Sequence, residues 1–498
     1  MLFNSLQYLL FLPLVALLYW RAPRVLRLPI LLVASYAFYM SWMKIYGLLL
    51  FGLTAVNFVF GLCLQKTEVK AAKRLVFISG LSINLFCLGL FKYTNFLLDS
   101  FRGICDSLGA NHLLSAAAIN ALKAPDPHDL PIILPLGISF FVFEFIHYLT
   151  DIFKGDKAIK SPLKFALFAA FFPSQIAGPI KRYQDFVKQE VADAKFDGAL
   201  FHTGILLLAQ GMFKKVALGD NLAPIVQQGF ANPQMMGTMD AWACVLAFSL
   251  QIYYDFSGYT DIAIGSANIL GFRLPENFKM PYSATSLKDF WHRWHISLST
   301  WLRDYLYIPL GGSRKGGGRA LANLLITMLL GGLWHGASWN FVIWGGMHGL
   351  GLTVNRLFDD LLARNSALQA ASKTWLWEQV SRLSIFLFVT LVWVVFRAQT
   401  TSEAFAVYHS LFNWQPVSLT DISVIESILQ SNLLLSFGIY TSAYLLIRYA
   451  GKLCPILPEF LRPARVPMYA EVVLLSGLAI LIVGLAPHAA IPFIYFQF

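Results

Sequence analysis

The sequence predicts an all-α protein that crosses a lipid bilayer many times, as one polytopic membrane domain over residues 1–498. Three observations predict this. First, 57% of the residues are hydrophobic and only 13% charged, with a mean hydropathy of +0.60. Soluble domains run near about 25% charged. Second, runs such as Leu75–Leu90 and Val472–Leu485 approach the length needed to cross about 30 Å of hydrocarbon. Third, lipid offers the backbone no hydrogen-bond partners, so spanning segments must be helices unless a barrel closes. The alternating stretches of about ten residues that mark a membrane barrel are not seen.

Taken in order, Leu6–Trp20 lacks a basic leader and a small-residue cleavage site and reads as a retained span. Arg21, Arg24 and Arg27 form one basic cluster, and Lys66–Arg74 holds another. Both belong on the cytoplasmic side, with spans Leu28–Met40 and Ile45–Leu64 between them. Leu75–Leu90 then leads out, Asn95–Asp129 forms an outer loop, and Pro131–Phe153 returns to the lysine-rich stretch Lys154–Lys164. Phe165–Pro179 is apolar but has basic flanks on both sides, Lys181, Arg182 and Lys188 following it. Broken by Pro173, Gly178 and Pro179, it predicts a re-entrant segment, which survives at membrane depth only inside protein or along a wet cavity. Further spans fall near Phe201–Phe213, Ala241–Asp255, Leu321–Leu333, Phe341–Val354, Leu383–Phe396, Leu433–Tyr449 and Val472–Leu485. The total is about eleven or twelve by the twenty-residue criterion.

The net charge of +11 does not point to nucleic acid, because the basic residues are spread through short loops between apolar spans. Cys63, Cys87, Cys105, Cys244 and Cys454 show no ligand-like spacing, so neither a zinc site nor a disulfide framework follows. There is no internal repeat.

Lys288–Tyr305 reads KDFWHRWHISLSTWLRDY. Trp291, Trp294, Leu298, Trp301, Leu302 and Tyr305 recur at three- and four-residue spacing, which predicts one amphipathic helix with an aromatic face at the interface or along a cavity. Gly311–Arg319 predicts a flexible basic loop.

Several residues here could carry chemistry. His335 sits in GGLWHGASWN. An ionisable group between apolar spans is expensive unless functional, the flanking glycines admit a close approach, and neutral imidazole accepts a proton near pH 7. The alternative is a histidine hydrogen-bonded to a neighbouring helix. His295 follows His292 by three residues, but no further ligands accompany them, so no metal is predicted. His295 reads either as a site-lining donor or as an interfacial histidine. Asp255 and Asp261 in YYDFSGYTDIAIG, and Glu144 with His147, read as proton-relay groups or as structural ties, the structural role being favoured for the aspartates. No nucleophile elbow, P-loop or dinucleotide fingerprint is present.

Taken together, LPLGISFFVFE (Leu134–Glu144), IAGPI, YYDFSGYTDIAIG, FWHRWHISLSTWLRDYLYIPLGGSRKG (Phe290–Gly316), MLLGGLWHGASWNFVIWGGMHG (Met328–Gly349), VVFRA (Val394–Ala398) and PFIYFQF resemble the membrane-bound O-acyltransferase family (MBOAT). The likeness is to its bacterial polysaccharide branch, in particular alginate O-acetyltransferases. It runs nearly end to end, with its signature core over about 131–400. It implies that His335 is the catalytic histidine and His295 its companion, in a tunnel through a thinned membrane core. Trp334, Asp255, Tyr259, Asn340 and Arg303, within the matching motifs, become candidates to line that tunnel. His292 stands where the alginate branch carries arginine, and His147 also departs from it, so neither is given a role.

The resemblance further implies an inner-membrane O-acyltransferase. His335 would take the proton from an acceptor hydroxyl attacking an acetyl thioester, acetyl-CoA or another, which arrives from the cytoplasm, and His295 would orient the acceptor or stabilise developing charge. Arg314, Lys315 and Arg319 would attract coenzyme A phosphates or serve simply as topology determinants. A periplasmic SGNH-type acetyltransferase is the implied partner, with Asn95–Asp129 a docking candidate. Other acceptors on the same fold are peptidoglycan, cellulose and D-alanylated teichoic acid. A proton-coupled transporter is the reading from a different class, disfavoured by the missing repeat.

Overall fold

The apolar runs fold as helices, and no strand occurs among the described residues. The structure is a computed structural model that describes residues 1–108, 135–189, 195–314, 316–414, 423–453, 468–487 and 491–494. The first helices are α1 (Leu6–Arg21), α2 (Arg24–Met40) and α3 (Lys44–Lys66). They are followed by α4, which runs from Lys70 to Ser107 and contains a π turn at Gly89–Tyr93. Next come α5 (Ile138–Lys154), α6 (Pro162–Ala170), α7 (Gly198–Met212), α8 (Asp220–Ala231) and α9 (Thr238–Ile269). Later helices include α10 (Leu287–Arg293), α11 (Ile296–Leu302), α12 (Gly317–His335), α13 (Trp339–Arg364), α14 (Trp375–Arg397), α15 (Thr401–Phe412), α16 (Leu433–Leu453) and α17 (Met468–Gly484).

Four described helices, α3, α4, α12 and α14, are long and apolar enough to cross a membrane by length and composition. Large apolar side chains such as Leu10, Leu14, Val33, Leu48, Phe51 and Phe86 are well exposed on α1 to α4. In water such a belt would drive aggregation, whereas against lipid tails it is neutral surface.

Small residues let the inner helices touch backbone to backbone. A methyl group built on Gly211 of α7 would fall 2.6 Å from the Gly258 carbonyl of α9, and one on Gly265 equally close to the Gly204 carbonyl. With 32 residues, α9 extends well beyond the expected Ala241–Asp255 and is buried along most of its length.

Four expectations are corrected. The segment expected as an outer loop from Asn95 is helical to Ser107. The rest of that loop, and with it most of the docking candidate, lies outside the described residues. Within Pro131–Phe153 the described residues, which begin at Pro135, are helical from Ile138. Lys181, read as a basic flank, is buried and ion-paired with Glu144 at 2.7 Å, because a lysine at this depth needs an anion. Lys288–Tyr305 is two short helices, not one. The break falls at Trp294 and His295, where His295 adopts φ +43, a left-handed conformation that costs a non-glycine residue about 1–2 kcal/mol.

In the Phe165–Pro179 segment, α6 ends at Ala170 and the chain then runs through turns to Ile180 with every residue buried. Ser35 Oγ accepts from the Phe172 amide at 3.2 Å, and Ser297 Oγ from the Ile180 amide at 3.0 Å. Non-helical backbone is therefore held inside protein, the condition that lets it exist at membrane depth.

Candidate active site

His335 is the last residue of α12, and a three-residue turn separates it from α13. The two helices cross closely. A side chain on Gly332 would strike the Phe341 carbonyl and lie 3.0 Å from Gly345, and one on Gly336 would enter the Phe341 ring. The glycines beside His335 thus serve the hairpin that presents it. Ser338 caps α13, its Oγ accepting from the Asn340 amide at 3.2 Å.

The end of α12 exposes carbonyls that a helix terminus leaves unpaired. The π turn of α4 supplies their partners. Lys92 Nζ donates to the Trp334 carbonyl at 2.5 Å and the His335 carbonyl at 3.1 Å. Tyr93 Oη donates to the Leu333 carbonyl at 2.8 Å. A cation at a helix C-terminus also complements the helix dipole, and the π turn, which adds a residue to the helical repeat, brings consecutive residues onto this one target.

The His335 imidazole is 5% exposed and sits among aromatic rings. Trp344 meets it edge-on at 5.0 Å between centroids and Phe396 at 5.4 Å. Trp334 also contacts Phe143 at 5.2 Å, which stacks on Trp301 at 3.7 Å.

His295 reaches the same cluster from the α10–α11 break. Its ring lies 6.2 Å from Trp334 and stands edge-on to Phe256 at 4.8 Å. Its Nδ1 is 3.1 Å from Asn277 Oδ1. That oxygen also accepts from the Ser297 amide at 3.1 Å and from Ser297 Oγ at 2.9 Å. A backbone N–H can only donate, so the Asn277 atom is the oxygen, and His295 Nδ1 must carry its hydrogen. The buried Nε2, which has no hydrogen-bond partner among the described residues, is left with a bare lone pair.

Among the described residues, three cavities lie near this cluster. One, of about 460 Å³, lies beside the N-terminal half and middle of α12 and is lined by Lys288, His292, Arg303, Thr327, Arg356 and Asp359. A second, of about 490 Å³, flanks the other side of α11 and includes Lys181, Arg182, Arg273 and Ser297. The third and largest, about 1180 Å³, opens at the C-terminal end of α12, with Ala337, Ser338, Phe341 and Arg397 in its wall. Rings connect the first to the third past the histidine, Trp344 also meeting Phe396 directly at 5.3 Å. Trp291, in the first wall, is 6.0 Å from Trp344; beyond His335, Phe396 is 5.0 Å from Phe341, in the third wall. His335 therefore stands midway along a line of aromatic contacts between two cavities.

The other sequence-predicted residues divide. Trp334 packs in the cluster and Arg303 lines the first cavity. Asp255 is committed elsewhere: Oδ1 pairs with Lys215 at 2.8 Å and Oδ2 accepts from the Ile494 amide at 2.8 Å. Lys215 also pairs with Asp220, so the aspartates tie α8 and α9 to residue 494. Tyr259 stacks between Phe3 and Phe493, each at 4.4 Å. Asn340 is a latch: Nδ2 donates to the Ala398 carbonyl at 2.8 Å and Oδ1 accepts from Thr401 Oγ1 at 2.9 Å. Arg314 and Arg319 are exposed, Arg319 within the first turn of α12 rather than in a loop, and Lys315 lies outside the described residues.

Sequence reasoning passed over Lys92, Asn277, Trp344 and His348. The signal for Lys92 was available, since a lysine follows directly on an apolar span. His348, fully buried, lies 4.7 Å from the Trp344 ring, and neither of its nitrogens has a partner among the described residues. Its place in the motif MHG carried no cue to this.

The sequence profile of the membrane-bound O-acyltransferase family matches residues 140–396. The chain is 38% identical to the probable alginate O-acetylase of Pseudomonas putida over 100% of both chains. It is 35% identical to the peptidoglycan O-acetyltransferase of Helicobacter pylori, over 79% of this chain and 75% of that one. With the teichoic acid D-alanyltransferase of Bacillus subtilis it shares 32% identity over 48% of this chain and 63% of the relative.

Proposed function

From the premise that this chain belongs to the membrane-bound O-acyltransferase family and is an O-acyltransferase, we propose that it carries acetyl from a cytoplasmic thioester across the bacterial inner membrane. The acetyl serves O-acetylation of an exported or cell-wall polysaccharide of the alginate type. The observation that carries this reading is the position of His335 on the aromatic line between two cavities at different levels of α12.

The basic N-terminal end of α12, with Arg314, Lys315 and Arg319, belongs on the cytoplasmic side. The first cavity, with Lys288, Arg303 and Arg356 in its wall, then faces the donor, and these cations suit the phosphates of an acetyl-CoA-like thioester. The third cavity faces the acceptor.

In the reaction, the acceptor oxygen attacks the thioester carbonyl carbon while the hydroxyl proton passes to the His335 imidazole. As the C–S bond breaks, that proton moves to the leaving sulfur. The products are an acetyl ester and a free thiol, with no net proton change. Positioned proton transfer of this kind is typically worth about 10²–10⁴ in rate. His295, with its bare Nε2, accepts a hydrogen bond from a second hydroxyl of the acceptor and so orients it, the single hydrogen of the attacking hydroxyl going to His335. A neutral His295 in this tautomer has no Nε2 hydrogen to give an oxyanion, so the orienting role is the one its geometry favours.

Acetyl reaches the polysaccharide directly or through a periplasmic SGNH-type transferase. The test is the acetyl-ester content of the cell's exopolysaccharide and peptidoglycan in a His335→Ala strain whose membranes hold normal amounts of the protein. Loss of ester from one polymer supports the proposal and identifies the acceptor; unchanged ester in both overturns it.

A further inference from the structure

His348 has no part in the acyl-transfer steps above, yet it is fully buried in α13, and neither ring nitrogen has a hydrogen-bond partner among the described residues. A neutral imidazole carries one donor and one acceptor, and buried polar groups ordinarily find partners. Trp291 of α10 meets this ring edge-on at 5.1 Å between centroids. Its indole Nε1, which can only donate, also has no partner among the described residues, and the residue is 8% exposed. Two unsatisfied polar groups of complementary kind thus stand side by side.

The pair lies at the edge of the first cavity nearest His335. Trp291 is in that cavity's wall, together with Met328 of α12 and Leu352, one turn along α13 from His348. A methyl group built on Gly349, the residue after His348, would lie 3.2 Å from the Met328 Cβ, so helix packing brings His348 to the level of this wall. On the other side Trp344 touches both imidazoles, His348 at 4.7 Å and His335 at 5.0 Å. A donor that reaches from the first cavity to His335 therefore brings its last few atoms past Trp291 and His348.

What the pair offers narrows the chemistry of those atoms. An amide needs a donor and an acceptor together, because its carbonyl takes a hydrogen and its N–H gives one. The rings that face His348 besides the two tryptophans are Phe290, Phe388 and Trp393. In such apolar surroundings an amide is recognised specifically, since a ligand without it leaves both protein groups unpaired. Arg356, also in the wall of the first cavity, stands two turns farther along α13, about 12 Å away at 1.5 Å per residue. An extended arm with a phosphate at one end and an amide close to its thioester matches that spacing.

We propose that Trp291 and His348 together bind the amide nearest sulfur in a pantetheine-type thioester arm. The Trp291 Nε1–H donates to the amide carbonyl, and the bare nitrogen of His348 accepts from the amide N–H. The pair thereby selects the donor by the arm that carries the acetyl group rather than by the acetyl group itself. The assignment rests on the proposed thioester donor for its meaning, but amide recognition can be measured without turnover. Free coenzyme A and the prosthetic group of a carrier protein both present this arm.

The experiment titrates full-length protein in nanodiscs, without acceptor, with three ligands: acetyl-CoA, its analogue with two methylene groups in place of the sulfur-proximal amide, and an acetylated phosphopantetheine carrier protein. Binding is read by calorimetry in wild type, His335→Ala, His348→Leu, His348→Gln and Trp291→Phe. Wild type and His335→Ala are expected to bind acetyl-CoA at least about tenfold more tightly than the analogue, one decade being about 1.4 kcal/mol. His348→Leu and Trp291→Phe each shrink that ratio, and His348→Gln, which keeps an acceptor and a donor, retains part of it. The ratio is taken within each variant, so a general loosening of the fold does not imitate the effect. Tighter binding of the carrier protein than of acetyl-CoA, lost in His348→Leu, assigns the arm to a carrier; the reverse order assigns it to the free coenzyme. Equal binding of acetyl-CoA and the analogue by wild type overturns the assignment, as does a ratio unchanged in both His348→Leu and Trp291→Phe, or binding of no thioester at all. If His335→Ala keeps the amide preference yet acetylation in cells is unchanged, the acyl-transfer reading has failed and the arm site stands.

Discussion

The Oδ1 of Asn277 lies 3.1 Å from Nδ1 of His295 and receives two further hydrogen bonds from Ser297, which fixes the tautomer of the imidazole. Removal of this oxygen leaves the ring free to rotate and to exchange its hydrogen between nitrogens. Asn277→Ala is expected to lower kcat about 10–100-fold, by analogy with loss of the partner that orients a metal-ligating histidine, with little effect on the donor KM. Asn277→Asp keeps an acceptor at that point and is expected to retain more activity than Ala. Acetyl transfer by membrane vesicles, normalised to protein content, checks both.

Lys92 grips the carbonyl end of the helix that bears His335. Lys92→Met has nearly the same length but leaves those carbonyls buried and unpaired, at about 1–3 kcal/mol. The expected outcome is a lower melting temperature together with a fall in kcat larger than any change in KM, because the histidine loses its register. Lys92→Arg is expected to recover part of both. Rescue of stability without rescue of kcat would break the link to His335.

Trp344 separates Trp291, in the wall of the first cavity, from His335. Trp344→Ala opens a gap in the aromatic line and admits water beside the imidazole. Hydrolysis of acetyl thioester in the absence of acceptor is expected to rise while transfer to acceptor falls. Thiol release, followed with and without acceptor, measures the ratio.

The Lys215, Asp220 and Asp255 cluster is a structural tie, since its charges satisfy one another and the Ile494 amide. Lys215→Met leaves two carboxylates buried without a cation, a change of about 3–5 kcal/mol. The mutant is expected to accumulate poorly, while whatever protein folds keeps near-normal kcat. A normal protein level with abolished kcat would instead make these aspartates part of the chemistry.

Gly336 abuts the Phe341 ring so closely that no side chain fits. Gly336→Ala forces the ring or the hairpin to shift, at about 1–3 kcal/mol. A lowered melting temperature and reduced activity are expected together, because the same turn aims His335.

Much of this protein is written in runs of neighbouring residues. Apolar stretches of bilayer length fixed the all-helical class, since lipid leaves the backbone no other way to satisfy itself. The glycines around His335 predicted a close approach, which is made by Phe341 and Gly345 of the next helix, and Pro173, Gly178 and Pro179 marked the broken segment that the structure buries. The period of the aromatic residues in Lys288–Tyr305 misled, because the left-handed His295 interrupts a pattern that would otherwise run as one helix.

What the sequence could not decide is who meets whom. Lys92 and Trp334 are 242 positions apart, and Asp255 is 239 from Ile494. Composition shows that a buried charge needs a partner but not which one. Packing chose a helix terminus for Lys92, a lysine and an amide for Asp255, an asparagine for His295 and an open cavity for Arg397. Hydropathy and periodicity are sums over consecutive residues, whereas a partner is a single contact that exists only once the helices have taken their places.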